Sequence, residues 1–182
     1  MHYCDYTATL PPDNPHRRYH DHEYGYPIAE DDRLFERLVF EINQAGLSWT
    51  TILNKADNLR RAYDHFAIER VAAYGEADIA RLLADAGIIR NRRKIAAAIH
   101  NARVIRELQA AHGSFRAWLD AQVGADKATW VKLFKKTFAF TGPEITGEFL
   151  MSSGYLEGAH RRDCPVYTQI LAAHPRWLTG GG

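Results

Sequence analysis

Cysteine is scarce in this chain: Cys4 and Cys164 stand 160 positions apart among 182 residues. A pair so placed does not make the disulfide framework of a small secreted domain. Long apolar runs are missing too. No stretch approaches the roughly 20 apolar residues that a membrane helix needs. The N-terminal "MHYCDYTATLPPD" lacks the apolar segment of a secretory signal, so the expected location is the cytoplasm. Neither sign of charge dominates, since 23 basic and 22 acidic side chains leave +1. That excludes a grossly basic nucleic-acid binder but permits a basic patch on one face. Strand-like alternation, repeats and low-complexity segments are absent, and no linker is long enough to divide the chain. What remains is one all-α domain, 1–182, long enough to bury a core without staples.

Prolines are few and clustered. Three of the seven lie in "LPPDNPHRR", so residues 1–30 read as irregular. From Asp31 the pattern turns helical. Leu34, Phe35, Leu38, Val39 and Ile42 share one face, and Asp31 and Asp32 suit the first turn. That helix ends near Gly46. Shorter helices read at about 48–54, 57–66, 68–74 and 76–86. The longest runs from near Asn91 to His112, and Ser114 caps the next. "ATWVKLFKKTFAFTGPEITGEFLMSSG" reads as helix, tight hairpin, helix over about 128–154. Pro143 suits the first position of the second helix, with Thr141 and Glu144 as a capping pair and Gly154 as the stop.

Three groups of residues carry chemistry. In "EINQAGLSW", Glu41 stands one turn before a Gly46 corner and Trp49 directly after it. They are either a solvated helix end and a core anchor, or two side chains turned into one cavity. Cys4 and His20 near one end, with His160 and Cys164 near the other, form a set that suits tetrahedral zinc. A Cys4–Cys164 disulfide is the rival, although a cytosolic setting disfavours it. Finally, Arg90, Arg92, Arg93 and Lys94 begin one helix, and Lys132, Lys135 and Lys136 precede the hairpin. Both runs suit phosphate contacts or ordinary solvated faces.

"YHDHEYG" (Tyr19–Gly25), "EINQAGLSWTTIL" (Glu41–Leu53), "DAGIIRNRRKI" (Asp85–Ile95) and "HRRDC" (His160–Cys164) occur in that order. In these segments the chain resembles the DNA-3-methyladenine glycosylase I family, over nearly its whole length from Cys4 to Cys164. The resemblance implies an all-helical, helix-hairpin-helix DNA glycosylase fold. It implies one structural zinc on Cys4, His20, His160 and Cys164, tying the termini together. It makes the hairpin near 137–142 a grip on the DNA backbone, through Lys136, Thr141 and Gly142. The implied activity is base-excision repair. A monomer cleaves the N-glycosidic bond of alkylated purines such as 3-methyladenine in double-stranded DNA, with no lyase step and no membrane. Glu41 becomes the catalytic and base-accepting carboxylate. Trp49, Tyr19, Tyr24 and Tyr6 become the aromatic residues that bind the base, since a cation stacks well on a π-face. The alternative is a glycosylase-like protein that binds a modified base or nucleic acid with little or no cleavage.

Four departures from the family pattern carry expectations of their own. Tyr24 stands where tryptophan is usual. His16-Arg17-Arg18 occupies a place where relatives often carry a pocket tyrosine. Thr137 replaces the first glycine of the hairpin, and a threonine in a left-handed conformation is strained. Glu157 lies in a loop one residue longer than usual, where an auxiliary acid would stabilise charge on the sugar or orient water.

Overall fold

The computed structural model describes residues 1–180. Helix α3 (Asp31–Gln44) forms where its apolar stripe predicts, and Leu34, Phe35, Leu38, Val39 and Ile42 are fully buried. Each such side chain contributes roughly 1.5–3 kcal/mol through burial. Its first turn has a second task. The Asp31 carboxylate accepts from the N–H groups of Phe115 (2.8 Å) and Arg116 (3.0 Å), and so caps α8 (Phe115–Asp120). The helix ends at a corner where Gly46 takes φ 78°, a left-handed value suited to glycine. Ser48 then caps α4 by accepting the Thr51 N–H at 3.2 Å.

Two readings of the sequence need correction. Residues 1–30 are not irregular, for they hold α1 (Tyr3–Ala8) and α2 (Pro15–His22). Pro15 sits at the start of α2, where its missing N–H is no loss, and Asn14 caps that end through the His16 N–H. The segments read at 48–54 and 57–66 are one helix, α4 (Trp49–Ala62), which runs on through the exposed polar residues near Asp57.

The chain continues through α5 (Ile68–Ala72), α6 (Glu76–Ala84) and the long α7 (Arg92–His112), which stops at Gly113 with φ 90°. Helices α9 (Lys127–Thr137) and α10 (Pro143–Ser152) flank the hairpin, and α11 (Tyr167–Ala172) and α12 (Arg176–Thr179) follow. One core draws residues from α3 through α10. A second, smaller cluster joins Cys4 to Cys164, Val166 and Ile170, so the two ends of the chain meet. Among the described residues no helix is long and apolar enough to cross a membrane.

Candidate active site and metal centre

The ends meet around four donor atoms. Cys4, His20, His160 and Cys164 are all buried, and their ligand atoms lie within 4.8 Å of one another. The Sγ of Cys164 is 3.8 Å from His20 Nε2 and 3.7 Å from His160 Nδ1, and Cys4 Sγ is 3.9 Å from His160 Nδ1. Tetrahedral zinc with Zn–S near 2.3 Å and Zn–N near 2.0–2.1 Å requires S···N separations of about 3.6 Å. The set therefore fits one structural zinc ion. Both thiols are free, and the alternative disulfide is not formed. The outer ring nitrogens are engaged as such a site demands: His20 Nδ1 meets Asp21 Oδ1 at 2.7 Å, and His160 Nε2 donates to the Tyr24 carbonyl at 2.6 Å. Burial lowers the His160 imidazole to about 4, so it is a neutral ligand at neutral pH. Four protein ligands leave no open position, so the ion would hold the chain together and not activate water.

The metal loop also shapes the neighbouring cavity. Gly25 takes φ 88°, and a Cβ there would stand 2.8 Å from that of Ala159, so the turn after Tyr24 packs flush on the loop before His160. Tyr24 is thereby held in the wall of a cavity of about 640 Å³, a size typical of small-ligand sites. Tyr19 lies between Tyr24 (centroids 5.5 Å apart) and Trp49 (5.1 Å). Tyr3 closes the side, edge-on to Tyr24 at 5.6 Å. Arg37 stacks on the buried side of Tyr19 at 5.1 Å and donates to the Ser152 carbonyl at 2.9 Å, linking α3 to the end of α10. Among the described residues the Tyr19 hydroxyl and the Trp49 indole N–H are buried without partners, and both residues line the cavity.

Glu41 stands in the same wall, 3% exposed. Among the described residues no group donates a hydrogen bond to its carboxylate. Burial, reinforced by the charge of Glu148 and opposed by Arg37, pushes the carboxyl up to about 8. Glu148 faces the cavity from α10 and accepts from the Tyr24 hydroxyl at 3.4 Å. Sequence reading missed Glu148 and Tyr3. A signal for the first was present, since Glu144 and Glu148 are like charges four apart on one helix, an arrangement that destabilises it.

The corner that carries Glu41 is held by a residue first assigned to a basic patch. Lys94 is 5% exposed, and its ammonium donates to the carbonyls of Asn43 (2.8 Å) and Ala45 (2.6 Å). It thus satisfies the carbonyls that the end of α3 leaves open. Lys94→Met is expected to lower the thermal midpoint by about 4–8 °C, because buried carbonyls lose their donor. A melt unchanged within 1 °C would refute this.

Other expectations are corrected. Tyr6 does not line the cavity. It stacks behind Tyr3 (6.3 Å) and beside His16 (5.3 Å), and Tyr3 takes the inner place. His16 stands behind that wall, bonded to the Tyr3 hydroxyl (3.0 Å) and to Thr50 (2.8 Å). Thr137 is not strained, for it completes α9. The left-handed residue of the hairpin is Phe140, with φ 62°. Asn101 holds that turn by pairing both ways with the Ala139 backbone, at 3.0 and 2.8 Å. Thr141 is buried, and its hydroxyl donates inward to the Phe134 carbonyl at 3.0 Å, so Gly142 and not Thr141 caps α10. Its side chain cannot grip a phosphate from there. Glu157 is exposed, lies outside the cavity, and pairs with the Tyr167 hydroxyl at 3.0 Å and Arg162 at 3.7 Å. From there it cannot act as an auxiliary acid on a base in the cavity.

Exposed basic side chains stand before the hairpin and at the start of α7. Lys132, Lys135 and Lys136 are exposed before the hairpin, and Gly142 is exposed at the start of α10. Arg93 lies over the Phe140 ring at 5.8 Å, so the start of α7 and the hairpin form one surface. Arg92 is partly neutralised by Glu76 at 3.2 Å. The exposed Leu47 stands at the mouth.

Residues 10–167 match the family model described as methyladenine glycosylase. The chain is 34% identical to DNA-3-methyladenine glycosylase 1 of Escherichia coli K12, over 82% of this chain and 89% of that protein. It is 30% identical to the DNA-3-methyladenine glycosylase of Haemophilus influenzae, over 82% and 91%. Among solved structures it is similar to 3-methyladenine DNA glycosylase I of Staphylococcus aureus, with a TM-score of 0.80 and 30% identity over 91% of this chain and 97% of that one. A tyrosine-to-phenylalanine variant of a 3-methyladenine DNA glycosylase I, solved in complex with 3-methyladenine, superposes equally well. With this match over most of its length, the chain belongs to the methyladenine glycosylase family.

Proposed function

We propose that this protein is a monofunctional DNA-3-methyladenine glycosylase that removes cationic alkylated purines from double-stranded DNA. The observation that carries this reading is Glu41, a buried carboxylate with no donor among the described residues at the wall of an aromatic cavity. Such a group is costly to keep unless a cation or N–H donor visits it. A base can reach it only after leaving the helical stack. Trp49 and Tyr19 then supply π-faces for the cation. Leu47 at the mouth suits the gap that a departed base leaves between its neighbours.

The chemistry needs little from the protein. The base is already cationic, so the electron pair of the breaking C–N bond neutralises it as it leaves. The sugar passes through an oxocarbenium-like state, and water adds to the anomeric carbon and gives up a proton to solvent. Ionised Glu41 favours the cationic base before the bond breaks. No lysine lines the cavity among the described residues, which supports hydrolysis without a lyase step. Lys136, the backbone at Gly142 and the Arg90–Arg93 surface would hold the phosphates. The zinc would keep Tyr24 and the N-terminal helices in place. We take the working form to be a cytoplasmic monomer, a view supported by a cavity complete within one chain.

The test is to incubate the protein with methylated duplex DNA and identify the released base by chromatography. Free 3-methyladenine with unbroken strands is expected. DNA binding without base release would favour the glycosylase-like binding protein instead. Trp49→Ala is expected to weaken 3-methyladenine binding tenfold to a hundredfold, since stacking is worth about 1–3 kcal/mol. Unchanged affinity in the folded variant would make Trp49 a packing residue only.

A further inference from the structure

We propose that Glu148 is a second base-recognition residue, which accepts an N–H of the flipped base's amino group from the α10 wall of the cavity and, with Glu41, restricts the site to cationic purines. This rests on the glycosylase reading above and sharpens its substrate class.

The two acids come from different elements, Glu41 from α3 and Glu148 from α10, and both line the same cavity. Neither forms an ion pair within 4.0 Å among the described residues. Lys127 at the start of α9 approaches from behind: a Cβ on Gly147 would stand 3.0 Å from its Cε. Its charge reaches Glu148 only through space. Among the described residues the one donor to Glu148 is the Tyr24 hydroxyl, at a long 3.4 Å. A carboxylate has about four acceptor sites, so most of its capacity is open. Burial, together with the neighbouring Glu144, raises its carboxyl above the usual range.

Each of these features costs stability. Two partly desolvated acids facing one space repel each other. Glu144 and Glu148, four apart on α10, repel as well. A glutamine at 148 would keep the Tyr24 hydrogen bond and remove both penalties. A cation placed between the acids compensates them, and a neutral base does not. The Tyr19 hydroxyl, buried at the same wall without a partner among the described residues, adds a third polar contact open to a guest. The arrangement fits a flat cation that carries an amino group, and it leaves a neutral purine facing unpaired charge.

The test uses two soluble probes, the permanently cationic 3,9-dimethyladeninium and neutral 9-methyladenine, with affinities measured by calorimetry. The parent is expected to prefer the cation. Glu148→Gln is expected to reduce that preference about tenfold, because a charged hydrogen bond gives way to a neutral one. A preference kept within about twofold in the folded variant overturns the proposal. Tyr24→Phe separates contact from positioning, since it removes the Tyr24–Glu148 bond and leaves the carboxylate. It is expected to keep the preference within about threefold. A loss equal to that of Glu148→Gln would mean that Glu148 only orients Tyr24, and would also overturn the proposal. Base release from methylated DNA by the parent is measured in parallel. Release with an unaltered Glu148→Gln preference defeats this inference alone. No release, with the preference present and lost in Glu148→Gln, defeats the glycosylase reading and leaves Glu148 as a recognition residue.

Discussion

Glu41→Gln is expected to raise the stability of the free protein while removing its selectivity for a cationic base. The folded state holds this carboxyl at about 8, against an ordinary value of 4.5. A group whose pKa rises on folding stabilises fully below its unfolded value, and that contribution is lost as pH climbs towards the folded one. The parent should therefore lose stability between about pH 4.5 and 8, and the glutamine variant should be spared that loss. At pH 8 the difference is on the order of 2–4 kcal/mol. That corresponds to about 5–10 °C in the thermal midpoint of a domain this size. The same linkage governs binding. A permanent cation should bind the parent more tightly as pH rises towards 8 and Glu41 ionises, with Glu148, Arg37, Tyr19 and Tyr24 the groups facing it. The glutamine variant should lose at least part of that dependence and about tenfold to a hundredfold in affinity. Equal melting curves across this range, or unchanged selectivity, would remove Glu41 from the account.

Loss of a metal ligand should act in the opposite direction. Cys164→Ser is expected to cost several kcal/mol and to lower the midpoint by about 10 °C or more, since structural zinc contributes folding energy directly. The effect should reach the cavity. His160 holds the Tyr24 carbonyl, Tyr3 stands edge-on to His20 at 5.7 Å, and Cys4 of α1 belongs to the second cluster. Proteolysis should therefore begin within residues 1–30, and affinity for 3-methyladenine should fall together with stability. Cobalt(II) in place of zinc should give the absorption of a tetrahedral thiolate site, one ion per chain. A variant that melts like the parent, or protein that takes up no stoichiometric metal, would contradict this role.

The parts of this molecule that were legible in its sequence are those governed by local rules. The stripe from Leu34 to Ile42, the Ser48 and Ser114 caps, the Gly113 stop and the helix-hairpin-helix all follow from spacing and capping chemistry. The four donor residues were legible by type, and the fold brings them together although they lie at opposite ends of the chain. What failed depended on side-chain direction. Lys94 belongs to a basic run, but its position on α7 turns it towards the open carbonyls at the end of α3. Thr141 has the right type and spacing for a cap, yet the hairpin directs its hydroxyl inward. Tyr3 and Tyr6 lie three apart on α1, and only the packing of His16 beneath them shows which one faces the cavity. Glu157 was placed near the sugar from loop length, but an exposed loop lets a carboxylate find an arginine instead. Glu148 went unnoticed because one acid on a mid-chain helix carries no local mark apart from its neighbour Glu144.

In the glycosylase reading the flipped base lies against Trp49, in the cavity lined by Glu41 and Glu148. The chain contains four tryptophans, so an indole region of a ¹⁵N–¹H spectrum should show four resolved side-chain signals. Titration with the permanently cationic 3,9-dimethyladeninium follows the base into the cavity. The Trp49 signal, whose N–H has no protein partner and borders the cavity, is predicted to shift progressively to saturation. Trp118 and Trp130 in the core and Trp177 near the C-terminus should stay in place, and Glu41→Gln should abolish or greatly weaken the Trp49 response. A fixed Trp49 signal, with saturable shifts elsewhere or none at all, would contradict the account.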